Sequence, residues 1–178
     1  MAEFVPPNEA QGRPGHLPDA AGTLVELHRL LAIFLSSKGF ADLVEAEFQH
    51  GAELHDPIYV LQEVEEAEVS RILLTLAITA RVLDDANERL PGLDEVQCGT
   101  LISDLRHPDN SRPLTLRDAA NKVIHATKRR VDIEYNMRGR PYLQPFLYLY
   151  GQLGATEWKA TLDVIAFAKH YSTYVARL

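Results

Sequence analysis

The spacing of apolar residues changes in the last third of this 178-residue chain, and this change constrains the fold more than any other feature. Up to Thr127 apolar residues recur at steps of three and four, which is the spacing of one helix face. Beyond it, Val131, Ile133 and Tyr135 alternate with charged residues, as in a half-buried strand. The sequence therefore predicts helices followed by a small antiparallel sheet.

Turn and capping residues divide this pattern into elements. The predicted helices run from Asp19 to Gly39, over 59–88, over 94–105, from Leu116 to Thr127, and over 164–178. Pro91 and Gly92 are predicted to end the second of these helices. Thr115 and Asp118 form a capping box ahead of Leu116, and residues 106–113 are predicted as a loop. Strands near 130–135, 146–150 and 157–162 complete the pattern.

These elements predict a mainly α member of the α+β class: a helical bundle with a C-terminal three-stranded antiparallel meander and a closing helix. In this arrangement Val131, Ile133 and Tyr135 face Phe167 and Tyr171. Residues 1–18 are rich in proline and glycine, so we predict a mobile N-terminal tail ahead of a single α+β domain over 19–178.

Composition excludes several classes of protein. Cys98 is the only cysteine, so neither an internal disulfide nor a thiolate metal cluster can form. The apolar stretches are far shorter than the roughly 20 residues that span a bilayer. The order of His28, His55 and Asp56 suits a helical metal-dependent phosphohydrolase, but Pro57 disfavours helix at Asp56. We expect a cytoplasmic protein without membrane contact, cofactor or bound metal.

Charge is segregated along the chain. Residues 1–104, the acidic half, hold 6 Lys/Arg against 19 Asp/Glu, whereas residues 105–140, the basic island, hold 9 against 4. Such clustering attracts an anion such as RNA although the net charge is −7. Alternatively, the acidic half docks on the basic island within the chain or across a homodimer. Asp84 and Asp85, at the end of the long helix, are predicted to be exposed.

The helix predicted from Leu116 carries the strongest candidate site. Arg117, Asn121 and His125 follow one another at four-residue steps along its polar side, with Asp118 and Lys122 beside them. An arginine fork matches phosphate, and a histidine can transfer a proton near neutral pH. We predict that His125, Arg117, Asn121 and Asp118 form a catalytic group, and that the following cations bind RNA phosphates: Lys122, Lys128, Arg129 and Arg130.

An arginine, a polar residue and a later histidine on one helix resemble the motif of the HEPN superfamily of helical proteins in prokaryotic toxin, defence and RNA-processing systems. Arg117, Asp118 and His125 stand in those positions. The resemblance implies a metal-independent endoribonuclease in which two subunits of a homodimer share a cleft. The segment 116–126, followed by strands and Trp158, is also similar to bacterial proteins to which no activity is assigned.

Two alternatives stay open at this point. The chain can instead be a non-catalytic interaction module, an inhibitor or accessory subunit, whose acidic half binds a basic protein. Tyr148, Tyr150 and Trp158 could stack on bases, but aromatic strand residues more often pack against a covering helix, which we favour here.

Overall fold

The computed structural model describes residues 18–45, 56–87 and 89–177. Of the predicted tail over 1–18, all but Pro18 lies outside these ranges. The described residues form five helices and five strands: α1 (Thr23–Leu43), α2 (Pro57–Gln62), α3 (Glu65–Ala86), β1 (Gln97–Ile102), β2 (Ser111–Thr115), α4 (Leu116–His125), β3 (Lys128–Tyr135), β4 (Pro141–Leu153), β5 (Thr156–Asp163) and α5 (Val164–Tyr174). Within these ranges, no helix has the length and apolar character needed to cross a membrane.

The five strands form one antiparallel sheet in the order β2-β1-β5-β4-β3. The predicted helical bundle with a three-stranded meander is therefore wrong. β3, β4 and β5 do form a meander, but β1 and β2 extend it along the other edge of β5. The predicted short helix over 94–105 and the loop over 106–113 contain β1 and part of β2.

The backbone at Gly99 is the reason why the spacing of apolar residues did not predict strand β1. Its φ of +146° accompanies an irregular register between β1 and β2. As a result, Cys98 and Leu101 are both buried although they are three residues apart, a spacing that imitates a helix. A Cβ at Gly99 would lie 1.9 Å from the carbonyl oxygen of Thr161 on β5, so the strand requires glycine here.

Local capping sets where the helices begin. The predicted helix over 59–88 is two helices, and the Asp56 carboxylate caps the first by accepting from the Ile58 N–H at 2.8 Å. α4 begins at Leu116 as predicted, because the Thr115 hydroxyl accepts from the Asp118 N–H at 3.2 Å.

The helices share a core with one face of the sheet. Alternate strand residues contribute to this core: Leu147 and Leu149 on β4, and Trp158, Ala160 and Leu162 on β5. α5 packs mainly on β1, β4 and β5 rather than on β3. Ile133 and Tyr135 are 44% and 63% exposed, so the prediction that they face Phe167 and Tyr171 is wrong; Val131, the third residue of that prediction, is half-buried against the core.

Candidate nucleic-acid interface

Arg117, the predicted phosphate clamp, is bound within the protein. Its guanidinium forms an ion pair with Asp84 of α3, and its Nε lies 3.7 Å from a carboxylate oxygen of Asp94. The side chain is 15% exposed. A guanidinium held in this way joins α4 to the end of α3 and is poorly placed to contact a phosphate in solvent.

Asp84 is the residue that sequence reasoning misplaced. It is fully buried rather than exposed, whereas its neighbour Asp85 is exposed as predicted. The Asp84 carboxylate accepts from the Leu90 N–H at 2.9 Å and from the Arg81 guanidinium at 3.2 Å, in addition to Arg117. One carboxylate therefore connects the end of α3, the loop that follows it and α4 through hydrogen bonds.

The other residues of the predicted catalytic group do not form one site. Asp118 accepts from the Arg112 guanidinium at 2.6 Å. Asn121 is half-buried, and His125 is exposed at the last residue of α4. His125 lies eight positions after Arg117, which is a rise of about 12 Å along a helix. Within one subunit the structure does not bring these two side chains to a common point.

The four predicted RNA-binding cations also lie on different surfaces. Lys122 lies over the Trp158 ring, 4.1 Å from its centroid, and burial lowers the pKa of this lysine. Arg129 donates to the Ser70 hydroxyl and to the Glu66 carbonyl of α3. Lys128 and Arg130, on either side of Arg129, are exposed. Because strand side chains alternate, these two cations point to the face of the sheet that lies opposite the helices.

We call this the open face; its side chains in the described residues are exposed or half-buried rather than buried. The strand register arranges it in rows. One row reads Ile102, Lys159, Tyr150 and Lys128 across β1, β5, β4 and β3. The next row reads Thr100, Thr161, Tyr148 and Arg130. Tyr150 on β4 therefore has a cation opposite it on both neighbouring strands, and Tyr148 has Arg130 opposite it on β3.

Tyr148 and Tyr150 lie on the face opposite the described helices, contrary to the prediction that they pack against a helix, whereas Trp158 is buried in the core. The Nζ of Lys159 lies 4.9 Å from the Tyr148 ring centroid and 5.9 Å from that of Tyr150. Partial burial, with the nearby Asp132 carboxylate, raises the pKa of Tyr148, so this ring stays neutral. Gly151 leaves room for Trp158, since a Cβ there would lie 2.2 Å from the indole ring.

A cavity of about 330 Å³ lies at one end of the open face. Lys128, Arg130 and Tyr150 line it, and Trp158 lines it from the core side. The carboxylates of this face, at Asp132, Glu157 and Asp163, stand outside the two rows but partly close to them: Glu157 also lines the cavity, and Asp132 accepts a hydrogen bond from the Tyr148 hydroxyl. The arrangement therefore offers aromatic rings and positive charge at one place on an acidic protein.

Comparison with protein-family models, with curated proteins and with solved structures finds no match to this chain.

Proposed function

We propose that this protein binds single-stranded RNA on the open face of its sheet. The observation that carries the proposal is the pair of half-exposed tyrosines, Tyr148 and Tyr150, with Lys128, Arg130 and Lys159 on the neighbouring strands. Bases stack on aromatic rings while cations contact the phosphates, a combination that holds single strands. The bases of a duplex are already stacked, so we expect duplex RNA to bind much more weakly.

The positions of the cations suit a strand that crosses the sheet. Neighbouring strands are about 4.8 Å apart, so Lys159 and Lys128 stand roughly 10 Å apart on either side of Tyr150. On binding, the Lys159 ammonium would leave the two rings and contact a phosphate, and a base would take its place on each ring. The cavity beside Lys128 and Arg130 would hold the next nucleotide.

The stacking part of the proposal is tested with a fluorescently labelled oligouridylate and anisotropy at low salt. Tyr150→Ala should weaken binding about 5- to 150-fold, because one stacked base contributes about 1–3 kcal/mol. Tyr135→Ala is the matched control, since Tyr135 is exposed but lies outside the open face. Equal losses in the two variants would contradict a stacking site on this face.

The electrostatic part is tested by the salt dependence of the same binding. Removing two phosphate contacts in the double variant Lys128→Ala with Arg130→Ala should reduce the slope of log affinity against log salt by about 1.4. Lys169→Ala, a substitution of an exposed lysine on α5, should leave the slope unchanged. An unchanged slope in the double variant would show that the RNA contacts another surface.

Cleavage by His125 and Arg117 is a separate hypothesis, which ranks below binding because Asp84 holds Arg117. Incubation of RNA with the protein in chelator tests it, and cleavage that disappears in His125→Ala would support it. If the protein binds no RNA at low salt, the interaction module that contacts a basic partner through its acidic half becomes the better hypothesis.

A further inference from the structure

β3 is an end strand of the sheet. Among the described residues only β4 pairs with it, so the main-chain N–H and C=O groups along its other edge have no strand partner there. β2, at the opposite end, has five residues and contains Pro113, and both features discourage pairing. β3 has eight residues and neither proline nor glycine. Of the two end strands, β3 is therefore the one suited to adding a further strand.

Charge changes sign along this end strand. Lys128 and Arg130 come first, and Asp132 and Glu134 follow. Alternation places the four side chains on one face of the strand. None of them forms an ion pair within the described part of the chain. A strand with charges of one sign would repel a copy of itself, whereas β3 carries the two signs in separate halves.

Antiparallel pairing of two copies of β3 brings these opposite charges together. With a twofold axis at Val131, Lys128 stands opposite Glu134 of the partner subunit, and Arg130 stands opposite Asp132 of the partner subunit. The axis repeats both pairs. A register shifted by two residues places Arg130 or Asp132 opposite its own copy, so that like charges meet. The charge pattern of β3 therefore favours one register of self-pairing.

Hydrogen bonds hold the two carboxylates beside the edge. Glu134 Oε2 accepts from the Tyr142 hydroxyl at 2.7 Å and from the Gln144 side-chain amide at 3.2 Å. The Asp132 carboxylate accepts from the Tyr148 hydroxyl. All three donors are side chains of β4, and none of them neutralises the carboxylate it contacts. Acceptors positioned in this way lose less side-chain freedom when a cation of a second copy approaches.

Exposed apolar side chains lie on the helix side of the same edge. Ile133 and Tyr135 of β3 are exposed. α2 lies beside Ile133, because Tyr59 of this helix and Ile133 line one cavity. α2 has no buried residue, and its Val60 and Leu61 are exposed. Exposed apolar surface that adjoins an unpaired strand edge is typical of a surface that another protein chain covers.

We propose that two copies of this chain associate through β3 and join their five-stranded sheets into one. The main-chain hydrogen bonds of the new ladder supply affinity, and the charge pattern selects the direction and register. The helices of both copies lie on one side of the joined sheet, and the two open faces form the other side. Lys128 and Arg130 are then paired with carboxylates. If the proposed function holds, the second copy and RNA therefore compete for these two cations.

Sedimentation equilibrium of the full chain at tens of micromolar, without RNA, tests the proposal, and we expect a reversible dimer. Two double variants leave β3 with charges of one sign on this face: Lys128→Glu with Arg130→Glu, and Asp132→Lys with Glu134→Lys. Each variant alone should self-associate at least about tenfold more weakly, because like charges then stand opposite each other.

A matched control changes the net charge equally at another place. Lys169→Glu with Arg177→Glu alters two exposed cations in and after α5, which packs on β1, β4 and β5 rather than on β3. This variant should self-associate as the wild type does. An equal loss in the control would overturn the proposal, since net charge rather than the β3 edge would then govern association.

An equimolar mixture of the two β3 variants gives the sharpest test. The negative strand of one and the positive strand of the other restore every cross-strand ion pair, so the mixture should form a heterodimer about as stable as the wild-type dimer. A misfolded variant could not produce this recovery. A monomeric wild type, a dimer that neither variant weakens, or two folded variants that stay monomeric when mixed would overturn the proposal.

Hydrogen exchange of the wild type covers the case in which a variant does not fold. Amides of β3 should exchange more slowly as protein concentration rises, whereas those of β2 should not, because only β3 gains a ladder. Exchange of the β3 amides that is independent of concentration would overturn the proposal. Since neither experiment contains RNA, failure of the dimer is distinguishable from failure of RNA binding.

Discussion

Loss of the Asp84 carboxylate should destabilise the protein strongly. In Asp84→Ala the Leu90 N–H loses its acceptor and the Arg117 guanidinium, 15% exposed, loses its nearest counter-charge. Breaking a buried ion pair by removing one partner typically costs about 3–5 kcal/mol, a large part of the 5–15 kcal/mol by which domains are stable. For a chain of this length we expect Tm to fall by about 6–20 °C.

Urea denaturation followed by circular dichroism measures this loss, and a double-mutant cycle assigns it to the pair. Arg117→Ala should cost less than Asp84→Ala, because Arg81 still lies 3.2 Å from Asp84. The double variant should lose less free energy of unfolding than the two single variants lose together, by at least about 1.5 kcal/mol. Asp85→Ala, at an exposed neighbour, should change stability by less than about 1 kcal/mol. A coupling energy below about 0.5 kcal/mol would refute the role given to the pair.

Three further substitutions and one measurement of mass give independent checks. His125→Ala should change the free energy of unfolding by less than about 0.5 kcal/mol in urea titrations, because the residue is exposed. Gly99→Ala should lower stability by more than about 2 kcal/mol in the same assay, because of the 1.9 Å approach to Thr161. Burial raises the pKa of Glu65, so its stabilising contribution is complete below its ordinary value of 4.5 and is lost as pH rises above it. Denaturation from pH 4 to 7 should therefore show the wild type losing stability relative to Glu65→Gln as pH increases. Sedimentation at micromolar concentration tests the predicted homodimer, against which a monomer would count.

Local signals in the sequence were sufficient for some elements and misleading for others. Thr115 placed the start of α4 correctly, because its hydroxyl caps the N–H of Asp118 within the first turn, whereas the Asp118 carboxylate, predicted to complete a capping box, accepts from Arg112. β1 was not predicted because its irregular register at Gly99 arises in the pairing with β2, while its other partner, β5, lies about 60 residues later in the sequence. A spacing of three between buried residues has the same appearance in a bulged strand and in a helix, and only the pairing partner distinguishes them.

The same distinction applies to the candidate site. Strand alternation could have separated Arg129 from Lys128 and Arg130 only if the predicted strand, placed near 130–135, had been extended back to Lys128, where β3 begins. Sequence could not tell which face the helices cover, and this decides whether Tyr148 and Tyr150 are exposed. The partnership of Arg117 with Asp84 joins residues 33 positions apart, and no local pattern predicts it.

The position of Trp158 gives the protein a spectroscopic reporter of its own. It is the single tryptophan of the chain, so excitation at a wavelength that tyrosine does not absorb selects one indole. That ring is 2% exposed, lies under the Lys122 ammonium and lines the cavity beside Lys128 and Arg130. Its emission should shift to the red on unfolding, as water reaches the indole. A nucleotide entering the cavity should quench it without that shift, so occupancy and unfolding could be followed separately in one unlabelled sample.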